Sequence, residues 1–407
     1  MDGDEQGERG WPELARNLNH LRLFLRVCAA GSATGASRAA HLSQPAVTQA
    51  LAGLERAAGG PLFERRPGGM AVTARGAILA RRLGRAFAGL DPALSALAPR
   101  LVRTATAAQL RALVAVVEAG SITLAARREG LAQSTMHRTI ARLEGEAGRP
   151  VFERGPAGAR PRRATEALAR AVGLALHEIA QARAELAEHD GGSAGQIVVG
   201  ALPLSRSALL PEALAAFCRA RPAQGCRVVD GPFETLLADL RRGAVDVIVG
   251  ALRDPSPGAG VVQERLFGDR LTVIARPGHP LAGTAPGLAE LARRRWVVPR
   301  IGTPARAQFD ALFAGHAVPG GIVEAGSVLF MREFLRSGDH LGCISGLQAR
   351  AELENGLLVR IGTPADWPER PIGLIHRRDW APTAAQAELL DHLRAAGAAL
   401  DARGRAG

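Results

Sequence analysis

The chain has 407 residues, more than one hydrophobic core usually serves, so two or three domains are expected. Hydrophobic residues at 47% and charged residues at 22% are in the globular range, which excludes a disordered chain. No run approaches the roughly 18 apolar residues of a membrane span, and the acidic start MDGDEQGERG does not resemble a secretion signal. We therefore expect a cytoplasmic protein with no membrane partner.

The positive charge lies mainly in the N-terminal half. All basic residues are arginine, and the formal net charge is +12. Residues 17–190 hold 24 Arg against 13 Asp plus Glu, a net of +11, whereas residues 195–407 hold 25 against 21, a net of +4. A basic half joined to a nearly balanced half is typical of a polyanion-binding region followed by a domain with another task.

An internal repeat occupies much of the basic half. Residues 21–65 and 110–154 align without gaps at an offset of 89, with 20 identities in 45 positions. In the first copy, an apolar pattern at helical spacing ends at Gly31, and Ser32 is placed to cap a second short helix. Ser43 is placed to cap a third helix. Two short helices joined by a tight turn predict a helix-turn-helix, whose second helix enters the DNA major groove.

The third helix of each copy carries polar side chains on its outer face. Glutamine matches the base edge of adenine and arginine that of guanine. The predicted DNA contacts are Ser32, Ser43, Gln44, Pro45, Thr48 and Gln49 in the first copy, and Gln133, His137 and Arg138 in the second.

A small hairpin, or wing, follows the third helix. Leu62 and Phe63 precede Arg65 and Arg66, and the turn 67–69 follows, so the two arginines are predicted to lie along phosphates. A long helix then runs to about residue 98. The second copy is followed by a helix from about residue 165 to 188 and by the flexible GGSAG at 191–195.

The first copy resembles the N-terminal winged helix-turn-helix of LysR-type transcriptional regulators, nearly end to end. The resemblance rests on the GS that opens helix two, the SQPAVT that starts helix three, the LE that closes it, and the LFER of the wing. The second copy resembles that family less, because AQSTMH replaces SQPAVT. It reads a different DNA sequence, holds DNA non-specifically, or acts only as a dimerisation and spacing module.

The C-terminal half has another pattern. Short apolar runs such as IVVGAL and VDVIVGAL alternate with amphipathic helical segments, which predicts a parallel sheet with helices on both faces. Residues 196–395 resemble the effector-binding domain of the same regulators, a two-lobed α/β fold similar to periplasmic solute-binding proteins.

Loops beyond the carboxyl ends of these strands are the expected ligand sites, because helix N-termini there offer N–H groups to anions. Hydroxyls and arginines in the loops predict a small organic anion in the interlobe cleft. The effector-binding candidates are Ser205, Arg206, Ser207, Phe233, Arg253, Thr303 and Arg306. Each Ser or Thr is equally well explained as a helix cap, and Arg206 and Arg306 as solvated side chains.

Together these observations predict a multi-domain protein: two α-rich winged helix-turn-helix units followed by the two-lobed α/β effector domain. The predicted parts are a winged domain at 17–75, a linker helix at 76–105, a second winged domain at 106–163, a linker helix at 164–190 and the effector domain at 196–395. The resemblance implies a sequence-specific transcriptional regulator that binds double-stranded promoter DNA and a small-molecule effector. It also implies a homo-oligomer, dimer or tetramer, with RNA polymerase as a further partner.

Two other function classes were weighed. An enzyme is disfavoured because the chain has no GxSxG elbow, no phosphate-binding P-loop and no HExxH motif, so no catalytic residue, metal ligand or cofactor is predicted. A solute-binding component of a transporter would fit the C-terminal half alone. The basic N-terminal half and the missing signal sequence argue against it.

Overall fold

The computed structural model describes residues 13–40, 42–67, 69–155, 158–363 and 367–406. The acidic start and Gly68 of the predicted wing turn lie outside the described residues. The chain divides into two units. The first is the chain through Gln196 with Ala223–Gly225 and Arg241–Ala244, and the second is Ile197–Pro222, Cys226–Leu240 and the chain from Val245 onward.

The first unit contains two series of elements in the same order. After a 3-10 helix at Glu13–Arg16, the first series is α1 (Leu18–Ala30), α2 (Ala33–Ala40), α3 (Gln44–Ala58), β1 (Phe63–Arg66), β2 (Gly69–Val72) and α4 (Ala74–Leu97). After α5 (Leu101–Thr104), the second series is α6 (Ala107–Ala119), α7 (Ile122–Arg128), α8 (Gln133–Ala147), β3 (Phe152–Gly155), β4 (Gly158–Pro161) and α9 (Arg163–His189). Each element of the second series begins 89 residues after its counterpart.

Glycines fix the same close contact in both series. Gly31 ends α1 with φ 62° and Gly120 ends α6 with φ 63°, the left-handed conformation that glycine adopts most easily. A Cβ at Gly69 would lie 2.6 Å from the carbonyl oxygen of Gly31, and one at Gly158 would lie 2.6 Å from that of Gly120. The hairpin can therefore press against the end of the first helix only because these positions lack a side chain.

One face of the third helix is buried, opposite the predicted polar face. Val47, Leu51 and Leu54 of α3 are buried in the core of the first unit. The ring of Phe24 in α1 lies 5.3 Å from that of Phe63 in β1, which ties the helices to the hairpin. Burial of such side chains contributes about 1.5–3 kcal/mol each, so this apolar cluster holds the short helices in place.

The second unit contains two five-stranded sheets. Its elements begin with β5 (Gln196–Ala201), α10 (Pro203–Ser207), α11 (Leu209–Ala220), β6 (Gly225–Asp230), α12 (Phe233–Arg241), β7 (Val247–Ala251), β8 (Val261–Asp269) and β9 (Leu271–Ala275). They continue with α13 (Leu288–Ala292), β10 (Arg295–Val298), α14 (Pro304–Leu312), β11 (Ile322–Glu324), α15 (Val328–Arg336), β12 (His340–Ser345), α16 (Arg350–Glu354), β13 (Val359–Ile361), β14 (Arg370–Arg377) and α17 (Ala384–Ala406).

The prediction of parallel sheets was wrong in part, since both sheets are mixed. The first has the order β6-β5-β7-β14-β8, in which β14 is antiparallel to β7 and β8. The second has the order β11-β10-β12-β9-β13, in which β9 is antiparallel to β12 and β13. The chain leaves the first sheet between β8 and β9 and re-enters it between β13 and β14. The strands that make these crossings run against their neighbours.

Candidate functional site

The predicted outer face of α3 is exposed. Gln44, Pro45, Thr48 and Gln49 all point to solvent, opposite the buried residues of the same helix. The Thr48 hydroxyl donates to the carbonyl of Gln44 at 3.0 Å and keeps its lone pairs for another donor. The two amide side chains are thus available to base edges, as a helix entering a major groove requires.

The two predicted serines are helix caps. The Ser32 hydroxyl oxygen accepts from the backbone N–H of Gly35 at 3.0 Å, and that of Ser43 accepts from Ala46 at 3.4 Å. Each hydroxyl hydrogen remains available for a phosphate oxygen, so capping and phosphate contact are compatible.

Both arginines of the first hairpin are exposed on β1. Arg66 donates to Glu64 on the same strand, and both side chains of this pair are largely solvent-accessible. An exposed pair of this kind contributes little free energy, so a phosphate can replace the carboxylate at small cost. The hairpin therefore leaves Arg65 and Arg66 exposed, as a contact with phosphates would require.

The equivalent helix of the second series, α8, keeps the exposed face but not the cap. Gln133, His137 and Arg138 point to solvent. Ala132 stands at the N-cap position without a side-chain hydrogen bond, where α3 has Ser43. This face is more basic than that of α3, and its start is less well stabilised.

In the second unit, two of the predicted effector residues meet where β7 ends. The guanidinium carbon of Arg253 lies 4.1 Å from the centre of the Phe233 ring, at the start of α12. The side-chain amide of Gln263 holds the Arg253 backbone, accepting from its N–H at 2.8 Å and donating to its carbonyl at 3.0 Å. Nη1 of Arg253 is buried and has no hydrogen-bond partner within the described ranges.

The charge of Arg253 is held in a partly desolvated place. Burial lowers the pKa of its guanidinium, while Glu234 opposes this shift and Arg370 adds to it. A buried donor without a partner is unfavourable in free energy, and a hydrogen bond to a bound anion would offset this penalty.

A buried ion pair lies at the crossing between the two sheets. Arg370, at the start of β14, donates through Nη2 to Asp269, at the end of β8. The other carboxylate oxygen of Asp269 accepts from the Ser345 hydroxyl at 2.6 Å. Burial raises the pKa of the Asp269 carboxyl, and the charge of Arg370 and the Ser345 hydrogen bond oppose that shift. This cluster joins β8 and β14 of the first sheet to β12 of the second.

The other predicted effector residues of the first lobe lie at the sheet edge where β5 and β7 end. Most of them already form hydrogen bonds or ion pairs within the protein. Ser205 is buried, and its hydroxyl donates to the carbonyl of Leu202 at 2.8 Å. Arg206 pairs with Asp230 at 2.9 Å, and Ser207 is exposed. Ser205 therefore has a local structural role, but it is not the helix cap that the alternative expected, because α10 has no side-chain cap.

The predicted residues of the second lobe are also engaged. Thr303 caps α14, accepting from the N–H of Arg306 at 3.2 Å and donating to the carbonyl of Arg300 at 2.8 Å. Arg306 pairs with Asp310 at 2.8 Å and with Glu324 at 2.7 Å. Two carboxylates neutralise this arginine, so it is a weaker anion ligand than Arg253.

Comparison with known proteins identifies this architecture. The family model described as a bacterial regulatory helix-turn-helix protein of the lysR family matches residues 18–77 and 107–167, and the LysR substrate binding domain matches residues 190–398. The HTH-type transcriptional regulator GalR of Pseudomonas putida is 34% identical over 388 residues, which are 93% of this chain and 96% of that protein. The chain belongs to the LysR family of transcriptional regulators.

Three further proteins match a smaller share of the chain. PcaQ of Agrobacterium fabrum is 28% identical over 300 residues, which are 72% of this chain and 96% of that regulator. Among solved structures, ArgP from Mycobacterium tuberculosis has a TM-score of 0.54 at 20% identity, covering 71% of this chain and 96% of that one. A full-length OxyR variant from Pseudomonas aeruginosa has a TM-score of 0.50 at 22% identity, covering 70% and 97%.

Membership of this family establishes the general function of the protein. LysR-type regulators bind DNA and small-molecule effectors, form oligomers and control transcription; they are not enzymes. Among the described residues, no single helix is long and apolar enough to cross a membrane. Only α6 and α7 taken together reach that length and composition, and they meet at an angle of 114° and supply core residues to the first unit.

Three residues near the predicted effector site gave no recognised sequence signal. Arg370 and Asp269 gave no local signal, since their pairing joins residues 101 positions apart. The PER at residues 368–370, where β14 begins, was part of no recognised motif. Gln263 was also missed, because its strand also carries Glu264, Arg265 and Asp269, so a polar side chain there is not a distinctive signal.

Proposed function

We propose that this LysR-type regulator reads DNA with two winged helix-turn-helix units, at residues 17–75 and 106–163, followed by their linker helices at 76–105 and 164–190. The constant offset of 89 residues between all six matching elements supports a duplication. So does the match of one family model to both segments. The GalR relative covers 93% of the chain and PcaQ only 72%, as expected if GalR shares the additional unit and PcaQ does not.

DNA contact by both units has a direct test. On a duplex selected by the wild-type protein from a random library, Gln44→Ala with Gln49→Ala should weaken binding at one part of the site. His137→Ala with Arg138→Ala should weaken it at another. Hydroxyl-radical footprints of each variant would locate these losses. If the second variant left the footprint and affinity of the wild type, the second unit would have only a spacing role.

We further propose that the effector is a small organic anion held by Arg253 in a two-lobed effector domain at residues 196–395, similar to periplasmic solute-binding proteins. The observation that carries this proposal is the buried Nη1 of Arg253, which has no hydrogen-bond partner among the residues that the structure describes, in a guanidinium that lies beside the Phe233 ring. A carboxylate would accept from that nitrogen, and an unsaturated or aromatic part would suit the ring.

The mechanism follows from where Arg253 lies. It extends from the edge at which β7 ends, and β7 is paired with β14, whose first residue Arg370 forms the buried pair between the sheets. An anion beside Arg253 would therefore act next to the strands that join the lobes. The effector changes transcription only if it favours one lobe arrangement, because equal affinity for both would shift nothing.

A thermal-shift and calorimetric screen tests the effector class. Small organic acids are compared with their methyl esters, which keep the shape and lose the charge. The acids alone should raise the melting temperature, and Arg253→Gln should abolish the rise while Arg306→Gln retains it. Equal binding of an acid and its ester would contradict the proposal.

We further propose that the protein acts in the cytoplasm, where its partners are promoter DNA and RNA polymerase.

A further inference from the structure

The long helices α4 and α9 pack against each other in opposite directions. Arg75 near the start of α4 pairs with Asp190 at the end of α9, whereas Arg85 further along α4 pairs with Glu178 further back in α9. Apolar residues line the contact along its length. Those of α4 include Leu79, Leu83, Ala86, Leu90 and Leu94, and those of α9 include Leu168, Val172, Ala175, Ile179, Ala182 and Leu186.

A buried charge cluster crosses this contact. The Arg82 side chain is 0% exposed, and it donates to Glu178 at 2.9 Å and to Glu185 at 2.6 Å. Arg85 donates to the other oxygen of Glu178 at 2.9 Å, and Arg81 to the other oxygen of Glu185 at 2.6 Å. Each carboxylate is thus shared by two arginines, and both carboxylates lie on α9 while all three arginines lie on α4.

The cluster breaks the equivalence of the two helices. At the offset of 89 residues, Ala171 in α9 occupies the position of Arg82. The positions of Glu178 and Glu185 are occupied in α4 by Gly89 and Ala96. If α4 packed against a second copy of α4 in the same geometry, the buried guanidinium would face glycine and alanine. In two copies of α9, Glu178 would have no cation, and Glu185 would have only Arg170, the counterpart of the exposed Arg81.

A buried charge without its partner is strongly unfavourable, so the cluster selects the pair α4·α9 over both self-pairs. The apolar residues alone would allow any of the three pairings. The charges therefore act as a specificity device within an otherwise permissive interface.

The connection between the two series favours pairing within one chain. Arg100 donates to the carbonyl of Gly145 at 2.6 Å, and Arg149 donates to the carbonyl of Ala96 at 2.5 Å. The end of α4 is thereby fastened to the end of α8. Leu101 in the short α5 between them is fully buried. This packed connection positions the second series on the helix that precedes it.

We propose that one chain holds both DNA-reading units as an internal pair, which the Arg82 cluster reserves for α4 with α9 of the same chain. The DNA part of this inference rests on the proposed function of both units. Because α3 and α8 present different side chains, the site read by one chain has two unlike halves. Additional copies then assemble through surfaces other than these two helices.

Charge reversal tests the pairing in the full-length protein. The changes Arg81→Glu, Arg82→Glu and Arg85→Glu reverse α4, and Glu178→Arg with Glu185→Arg reverse α9. Either set alone should lower affinity for the library-selected duplex by about two orders of magnitude, since like charges are buried together. All five changes in one chain should restore most of it. Arg336→Glu, at an arginine of α15 that is 57% exposed and lies outside the cluster, is the control and should have little effect.

Co-expression separates pairing within a chain from pairing between chains. A chain with α4 reversed and a chain with α9 reversed, carrying different tags, complement each other only if α4 of one copy pairs with α9 of another. We expect co-purified mixtures to bind as poorly as either variant. Restored binding in the mixture would overturn the internal pair.

A wild-type measurement keeps the test decisive if a reversed variant fails to fold. Native mass spectrometry gives the number of chains per duplex, and hydroxyl-radical footprinting gives the number of protected major-groove tracts. We expect two protected major-groove tracts per chain. One protected tract per chain would overturn the proposal that one chain holds two DNA-reading units. If His137→Ala with Arg138→Ala leaves the footprint unchanged while the mixture test still excludes exchange, the DNA role of the second unit fails and the internal pair stands.

Discussion

The guanidinium of Arg253 lies against the Phe233 ring at 4.1 Å and has a buried nitrogen without a hydrogen-bond partner in the part of the chain that the structure describes. This arrangement is costly in the free protein, because the charge is partly desolvated and gains only a cation–π contact of about 0.5–2 kcal/mol. An unfavourable free energy of this kind is typical of binding sites, where residues placed for ligand affinity lower the stability of the free protein.

The change Arg253→Met should therefore separate stability from response. It removes the desolvated charge and keeps an apolar side chain on Phe233, so the free energy of unfolding without ligand should stay within about 1 kcal/mol of the wild type or rise. The melting-temperature rise caused by an organic acid should disappear. Thermal unfolding with and without the acid checks both statements. A large loss of stability without ligand would show that Arg253 is a structural residue instead.

The buried carboxyl of Asp246 should make stability depend on pH. Its Oδ2 accepts from the N–H of Val198 at 2.7 Å, yet burial raises its pKa from 3.8 to about 6, with the Val198 hydrogen bond and Arg377 opposing the shift. The folded protein therefore takes up the proton at a higher pH than the unfolded chain. The stability that comes from the neutral form is complete below about pH 3.8 and is lost as the pH rises through 6.

The change Asp246→Asn removes this titration and retains an acceptor for Val198. Relative to the wild type, the variant should gain about 2 kcal/mol of unfolding free energy between pH 4.5 and pH 7.5. Urea unfolding at the two pH values measures the gain, with exposed Asp379→Asn as the control. The same difference at both pH values would contradict the predicted titration.

Base readout and phosphate contact should be distinguishable in the first DNA-reading unit. Gln44→Ala should cost about 1–3 kcal/mol of binding on the preferred duplex and less on a duplex altered at one base pair. Arg65→Ala should weaken binding on all duplexes and reduce the slope of log affinity against log salt by about one. Fluorescence anisotropy over a salt series measures both. Arg336→Ala, at an exposed arginine of α15, is the control and should change neither quantity.

The local features of the two helical series in the first unit could be predicted because their causes are local. Ser43 caps α3 three residues ahead of its donor, and Gly31 ends α1 at its own φ of 62°, so each signal lies within a few residues of its effect. The outward direction of Gln44 and Gln49 follows from helical spacing alone. These expectations matched the structure nearly residue by residue.

The sheets and the effector edge depend on distant partners, and sequence patterns miss these. The strand β14 reverses the expected parallel order because it returns from the second lobe to pair with β7, more than a hundred residues earlier. Arg306 was predicted as an anion ligand, but Glu324 lies 18 residues later on β11 and pairs with it. Likewise, Arg82 gains its role from glutamates 96 and 103 residues away. The residue pattern within one helix does not indicate an ion-pair partner that lies this far away in the sequence.

The missing cap of α8 gives a prediction for stability. Ala132 has φ −64° and ψ 140°, close to the −70° and 149° of Ser43, so a serine there would be placed to accept from the backbone N–H of Thr135, which now donates to the Ala132 carbonyl at 3.0 Å. The change Ala132→Ser should raise the free energy of unfolding of the first unit by about 0.5–2 kcal/mol, and Ser43→Ala should lower it by a similar amount. Urea unfolding followed by circular dichroism measures both changes. Because the cap acts only through backbone groups, Ala132→Thr should give a smaller gain of the same sign, and Ala132→Val, which has the same shape without the hydroxyl, should give none. A gain with valine equal to that with serine would mean that packing, and not the hydrogen bond, stabilises the start of α8.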